Sequence, residues 1–234
     1  MNKPSDSKEN QLDIMRHSTS HLMAAAILEL YPKTKFAIGP SIEDGFYYDF
    51  DFLEPLLERD LMKIEQKMRE LKNKKLDIKN KNYGIANAMT IFKDQPYKVE
   101  LIKELEKAGE KKVSIYELGE FVDLCRGPHL KNTKEIGEFK LLSLAGAYWK
   151  GSEKNKMLTR IYGTVFPTKK HLDEYLNMLE EAKKRDHRKL GKELDLFSFH
   201  DEAPGFPFWH PNGMALRSAL MGLHDKLHKD YNYQ

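Results

Sequence analysis

Cys125 stands four residues before His129 in Asp123-Leu124-Cys125-Arg126-Gly127-Pro128-His129, and it is the only cysteine in the chain. Far upstream, His17 and His21 have the same i, i+4 spacing in His17-Ser18-Thr19-Ser20-His21. If the two pairs converge, they offer three imidazoles and one sulfur, a donor set that suits tetrahedral zinc. The same groups without a metal can orient a water and a substrate by hydrogen bonds, and histidine is suited to proton transfer near neutral pH. A Cys-His nucleophilic pair is a third arrangement, but it needs a lowered thiol pKa that nothing in the sequence demonstrates. No glutamate follows His17, so the zinc-protease pattern H-E-x-x-H is absent. Residue types leave the metal-bound and metal-free readings open. Three more side chains could serve such a site. Asp123 can orient a histidine or bind an ammonium group, Lys98 can bind a phosphate or a hydroxyl, and Tyr48 carries a hydroxyl that needs a partner if buried.

Each group depends on an element to aim it. Residues 1–10 read as a disordered lead-in, and a helix is expected over about 11–31, with apolar spacing at Leu22, Ala25, Ala26 and Leu30 and a stop at Pro32. His17 and His21 then share one helix face. Asp44-Gly45 signals a hairpin, and Phe46, Tyr48 and Phe50 fall on one strand face by the period of two. A charged amphipathic helix is expected over 56–71, a strand over 76–80, and helices over 83–93 and 97–107. Short strands over 113–116 and 120–124 put Asp123 and Cys125 at a strand end. Gly127-Pro128 forbids a regular helix between Cys125 and His129, so a tight turn is expected there. Strands over 139–144 and 158–166 precede a long helix from Thr168 to about Leu190 with Leu172, Leu176, Leu179 and Ala182 as its stripe. A final helix is expected over 212–229.

The 234 residues suffice for one or two domains. The net charge of +3 does not by itself imply nucleic acid, but eight Lys/Arg against three Asp/Glu over 63–81, and six against one over 183–192, could meet phosphates. A solvated helix face is the plainer reading of both runs. One cysteine excludes an intramolecular disulfide, the N-terminus has no signal-like apolar core, and the longest wholly apolar run, 22–28, is too short to span a membrane. These features lead to an expected cytoplasmic location.

His17–His21, Gly45-Phe46-Tyr47-Tyr48-Asp49 and Asp123–His129 together resemble the editing domain of bacterial-type threonyl-tRNA synthetases. So do Ala145-Gly146-Ala147-Tyr148-Trp149-Lys150-Gly151 and Arg160-Ile161-Tyr162-Gly163-Thr164. Arg185-Asp186-His187-Arg188-Lys189-Leu190-Gly191 and Glu202-Ala203-Pro204-Gly205 are similar to that family's linker helix and its entry into the catalytic domain. The resemblance runs from about residue 12 to the end. Alanyl-tRNA synthetases and free-standing alanyl-tRNA deacylases are similar around the two pairs only.

The resemblance implies an α+β fold, an antiparallel sheet with packed helices, divided as lead-in 1–10, editing domain 11–167, linker helix 168–195 and the start of a class II catalytic domain over 196–234. It implies hydrolysis of seryl-tRNA of the threonine type, with His17, His21, Cys125 and His129 as the hydrolytic pocket. Tyr48, Lys98 and Asp123 would hold the terminal adenosine and seryl amine and orient water. It favours a metal-free pocket, although the alanyl relatives carry zinc there, and it places ATP, magnesium and a further zinc in a catalytic domain beyond these residues. The expected partner is the acceptor end of mischarged threonine tRNA, with no membrane. A homodimer is expected for the full-length relatives and a monomer for this piece. The ubiquitin-like domain that usually precedes the editing domain is expected to be missing. Two other readings remain: a zinc-dependent alanyl-tRNA-type deacylase, and a tRNA-binding appendage without chemistry.

Overall fold

The computed structural model describes residues 4–233, with side chains from residue 10 to residue 233. The chain divides into two compact units, one ending at Leu172 and the other beginning at Asp173.

The first unit is built around helix α1, Pro4–Leu30. The sequence reading starts this helix at about residue 11, and residues 1–3 of the expected lead-in lie outside the described residues. From Pro4 the backbone is already helical, since proline is tolerated in a first turn and no breaker stands between it and Pro32. The apolar stripe read from the sequence understates the burial of α1: every residue from Ser18 to Ile27 is buried. A helix enclosed on all sides is an internal element. The strands β1 (Lys35–Phe36), β2 (Ser41–Ile42) and β3 (Gly45–Asp51) and the helix α2 (Asp60–Asn73) follow it in the chain, and β2, β3 and α2 pack most closely on it. Leu61, Ile64, Met68 and Leu71 form the buried face of α2. Each such side chain, fully buried, contributes about 1.5–3 kcal/mol.

Next in the chain come β4 (Ile78–Gly84), α3 (Ile85–Ile91), α4 (Pro96–Lys107), β5 (Lys112–Leu118), β6 (Phe121–Leu124), β7 (Glu138–Tyr148) and β8 (Met157–Phe166). Pro96 opens α4, in the first-turn position where its missing N–H costs nothing. Two antiparallel sheets result, one ordered β1-β3-β8-β7 with β2 on β3, the other β4-β5-β6. Phe46, Tyr48 and Phe50 alternate inward on β3, and all three are fully buried. The β2–β3 hairpin is present, but Glu43 and Asp44 make its turn and Gly45 is already paired with Ile42. Gly45 must be glycine for another reason: a Cβ there would overlap the Gly163 carbonyl oxygen of β8.

The expected long helix from Thr168 is two helices, α5 (Lys169–Lys184) and α6 (His187–Glu193). The break falls at Asp186, whose side chain accepts a 2.8 Å bond from the Arg188 N–H and so caps a new helix. The second unit continues with the short antiparallel pair β9 (Phe197–Ser198) and β10 (Phe208–Trp209) and ends in α7, Pro211–Asp230. Among the described residues, no helix is long and apolar enough to cross a membrane.

Candidate functional site

Two elements of the first unit carry the chemistry. Helix α1 presents His17 and His21 one turn apart, β6 presents Asp123, and the segment leaving β6 presents Cys125 and His129. Ile115 pairs with Leu124 across the β5–β6 ladder, and the Cys125 N–H still reaches the Ser114 carbonyl at 3.2 Å, so the cysteine is aimed by the end of a strand. Gly127 then turns the chain at φ +69°, a left-handed conformation suited to glycine, and its missing side chain leaves room for the Tyr116 hydroxyl. The loop brings His129 back over Cys125.

The four groups meet. Cys125 Sγ lies 3.3 Å from His17 Nε2 and 3.3 Å from His129 Nε2, and the Gly127 N–H donates to the same sulfur at 3.3 Å. The His129 ring centroid is 4.1 Å from those of both His17 and His21. One potential ligand atom from each of His17, His21, Cys125 and His129 fits within 4.8 Å of the other three.

Behind His21 lies a buried charged cluster. Asp123 Oδ2 is 3.3 Å from His21 Nε2 and accepts a 2.7 Å bond from the Tyr48 hydroxyl, and Asp123 Oδ1 pairs with Lys98 Nζ. Tyr48, Lys98 and Asp123 are each at most 2% exposed. A buried charge persists only when paired and hydrogen-bonded, and here the ion pair and the Tyr48 hydroxyl share the Asp123 carboxylate. The structure thus brings together all seven residues singled out in the sequence. It sets four around a common point and three in a layer beneath His21.

Burial sets the protonation states. Desolvation lowers the pKa of His17, partly opposed by the nearby Asp123 carboxylate. Desolvation, then His17 and Lys98, hold His21 well below the ordinary histidine value. Desolvation, then His21 and His17, also push His129 far down. Burial, reinforced by Asp123, pushes the Cys125 thiol up to about 11. At neutral pH the imidazoles are neutral and the sulfur is a thiol, which removes the basis for a cysteine nucleophile.

The donor set also passes a test for zinc. Three neutral imidazoles and a sulfur converge, and His21 and His129 are each held from behind, by Asp123 and by the Ser18 hydroxyl, as metal-binding histidines commonly are. A bound zinc would supply Lewis-acid polarisation of a carbonyl and favour the Cys125 thiolate.

Sequence reasoning passed over Ser18 and Tyr116. Ser18 is fully buried with its oxygen 3.2 Å from His129 Nδ1, and the Tyr116 ring centroid is 4.4 Å from that of His129. A serine inside an H-x-x-x-H spacing was the one available signal for the first; nothing local marked the second. The basic stretches are largely paired. Lys67, Arg69, Lys72, Lys74 and Lys81 in the first meet carboxylates, as do Lys184, Arg185, Arg188 and Lys189 in the second.

Comparison with known proteins finds similarity to tRNA synthetases. Residues 113–162, which hold Asp123, Cys125 and His129, match the family described as the threonyl and alanyl tRNA synthetase second additional domain. The chain is 52% identical over 229 residues to the threonine--tRNA ligase of Borreliella burgdorferi (strain ZS7), an alignment covering 97% of this chain and 39% of that protein. It is 53% identical over 224 residues to the threonine--tRNA ligase of Carboxydothermus hydrogenoformans, and 54% identical over 225 residues to that of Geobacter sp. (strain M21). Each of these alignments covers 95% of this chain and 35% of the relative. The chain thus spans little more than a third of the length of the curated relatives it matches. Residues 113–162 match the second additional domain of threonyl and alanyl tRNA synthetases, and along nearly its whole length the chain is similar to a part of threonine--tRNA ligases.

Proposed function

We propose that this chain carries the editing site of a threonine--tRNA ligase and hydrolyses the ester of serine mistakenly joined to threonine tRNA. The observation that carries the reading is the convergence of His17, His21, Cys125 and His129 from two distant stretches onto one point. Pure tRNA binding would require none of these groups, and the pairing of the basic stretches lends the appendage reading little.

In the reaction, a water oxygen attacks the ester carbonyl carbon. The carbon–oxygen bond to the ribose breaks, the ribose hydroxyl leaves with a proton, and serine departs. His17 and His129 both reach Cys125 Sγ and are only partly buried, and they are assigned to hold that water. A base whose pKa is lowered accepts a proton more weakly, so their main contribution is orientation rather than proton abstraction. Asp123, Tyr48 and Lys98 are assigned to fixing His21, because their polar atoms are already engaged with one another and with it. Contact of these three with the adenosine or the seryl amine would follow a turn of Lys98 away from Asp123.

The need for such a site follows from size. Serine is threonine less one methyl, and a synthetic pocket discriminates one methyl by only about 1–3 kcal/mol. A second pocket that admits serine and excludes the extra methyl supplies the rest. The segment from Leu196 onward we read as the entry to the class II catalytic domain of the ligase, where ATP and magnesium would act. The alignment continues through this segment, and Phe206, Leu220 and Leu223 are exposed on it, as residues awaiting a larger core would be.

The test is release of serine from seryl-tRNA against release of threonine from threonyl-tRNA, both of the threonine acceptor type. Selective loss of serine supports the reading, and equal or no loss of either contradicts it. The convergent donor set favours a second reading, a zinc-dependent deacylase of the alanyl type. Metal analysis separates the two: about one equivalent of zinc, lost in Cys125→Ala, would favour it.

A further inference from the structure

We propose that Ser18 is a positioning residue that fixes the tautomer of His129, and so makes Nε2 the unprotonated nitrogen facing the hydrolytic pocket. The assignment rests on the hydrolase reading only for its consequence in catalysis. Its structural part stands on hydrogen-bond bookkeeping around one oxygen.

Ser18 Oγ has three partners. The Ile14 carbonyl, at 2.8 Å, can only accept, so it takes the single hydroxyl proton. The Leu130 backbone N–H, at 2.9 Å, can only donate, so it fills one lone pair. The third partner is His129 Nδ1 at 3.2 Å. With its proton already given to Ile14, the oxygen can only accept from the ring. Nδ1 must therefore carry the hydrogen, and in a neutral imidazole Nε2 is then a lone pair. That lone pair points at Cys125 Sγ, 3.3 Å away. Ser18 is fully buried, so water does not compete for these bonds.

Both chemical readings of the pocket require this tautomer. A histidine that holds an attacking water, or one that ligates zinc, must turn a lone pair inward. A histidine ring in water favours the opposite form, with hydrogen on Nε2. Ser18 reverses that preference, and it does so from the same helix that supplies His17 and His21. The Leu130 bond fixes the backbone next to His129 as well, so one hydroxyl sets both the position and the protonation pattern of the ring.

The experiment is long-range proton–nitrogen correlation NMR of the histidine rings in the full chain, wild type, Ser18→Ala and Ser18→Thr, alongside seryl-tRNA deacylation. His129→Gln assigns the signals. The wild type is expected to show His129 protonated on Nδ1. Ser18→Ala should move it toward the Nε2–H form and lower kcat by about 10- to 100-fold, the usual cost of losing an outer hydrogen-bond partner, with KM little changed. Ser18→Thr keeps the hydroxyl and should restore the Nδ1–H form and most of the rate. A wild-type His129 protonated on Nε2 would overturn the proposal, whether or not any variant folds. So would an Ser18→Ala spectrum that retains the Nδ1–H form. A wild type in the Nδ1–H form that releases no serine would support the Ser18 assignment while counting against the hydrolase reading.

Discussion

Cys125, with its thiol pushed up to about 11, and three histidines pushed down describe a pocket that excludes charge in the absence of a metal. Two pH effects follow. A histidine with an ordinary value of 6.5 would lose about fourfold of its neutral form between pH 7.5 and 6. The rate of serine release should instead stay nearly level over that range, because the folded histidines remain neutral; a fourfold fall would contradict the assignment. Stability should behave differently. The unfolded chain protonates these histidines near 6.5 and the folded chain does not, so the unfolded state binds more protons and stability falls as pH drops below 6.5. Each such histidine removes up to about 1.4 kcal/mol per pH unit. Denaturant midpoints between pH 7.5 and 5 check this, and a midpoint that holds or rises on acidification would contradict it. At this scale the sequence was highly legible, since spacing alone paired His17 with His21 and Cys125 with His129. Ser18 was not legible, because its role depends on a backbone carbonyl and an amide that only the fold places beside it.

At the scale of elements, the site depends on a strand end, one helix and one glycine turn. Gly127 sits at φ +69°, and a Cβ there would overlap the Tyr116 hydroxyl. Gly127→Ala should cost about 1–3 kcal/mol of stability, as residues forced into such conformations do, and should slow serine release by displacing Cys125 and His129. Denaturation and deacylation measured on the same sample check it; an unchanged rate would show that the turn does not aim the pair. Periodicity revealed β3, whose Phe46, Tyr48 and Phe50 face the core as their alternation requires. It understated α1, because a helix walled in by α2 and a sheet buries its serines and threonine too. Ser18, Thr19 and Ser20 return their hydroxyls to backbone carbonyls one turn back, at Ile14, Met15 and His17, which removes the penalty of burying them. The break between α5 and α6 was hidden because Arg185-Asp186-His187 contains neither glycine nor proline. Only the capping bond that Asp186 accepts from the Arg188 N–H marks it.

At the scale of the whole molecule, all seven site residues and Ser18 lie in the unit that ends at Leu172. Residues 1–172 alone should therefore fold and release serine at a rate close to that of the full chain; thermal unfolding and deacylation of that piece test this. Loss of activity with the fold intact would assign the second unit a part in presenting the acceptor end. The segment from Leu196 onward instead exposes Phe206, Trp209, Leu220 and Leu223, and its motifs were legible only through resemblance, since thirty-odd residues of helix and short strand hold too little core to announce a fold by pattern.

The most direct measurement is serine release from seryl-tRNA of the threonine type by the wild-type chain and by His21→Ala, with tRNA binding followed in parallel. His21 joins the buried Asp123 cluster to His17 and His129, so its loss should lower serine release by about 10²-fold or more, the scale of a positioned catalytic group, while leaving tRNA affinity within about twofold. Equal rates from the two proteins, or tRNA binding with no release by the wild type, would contradict the account.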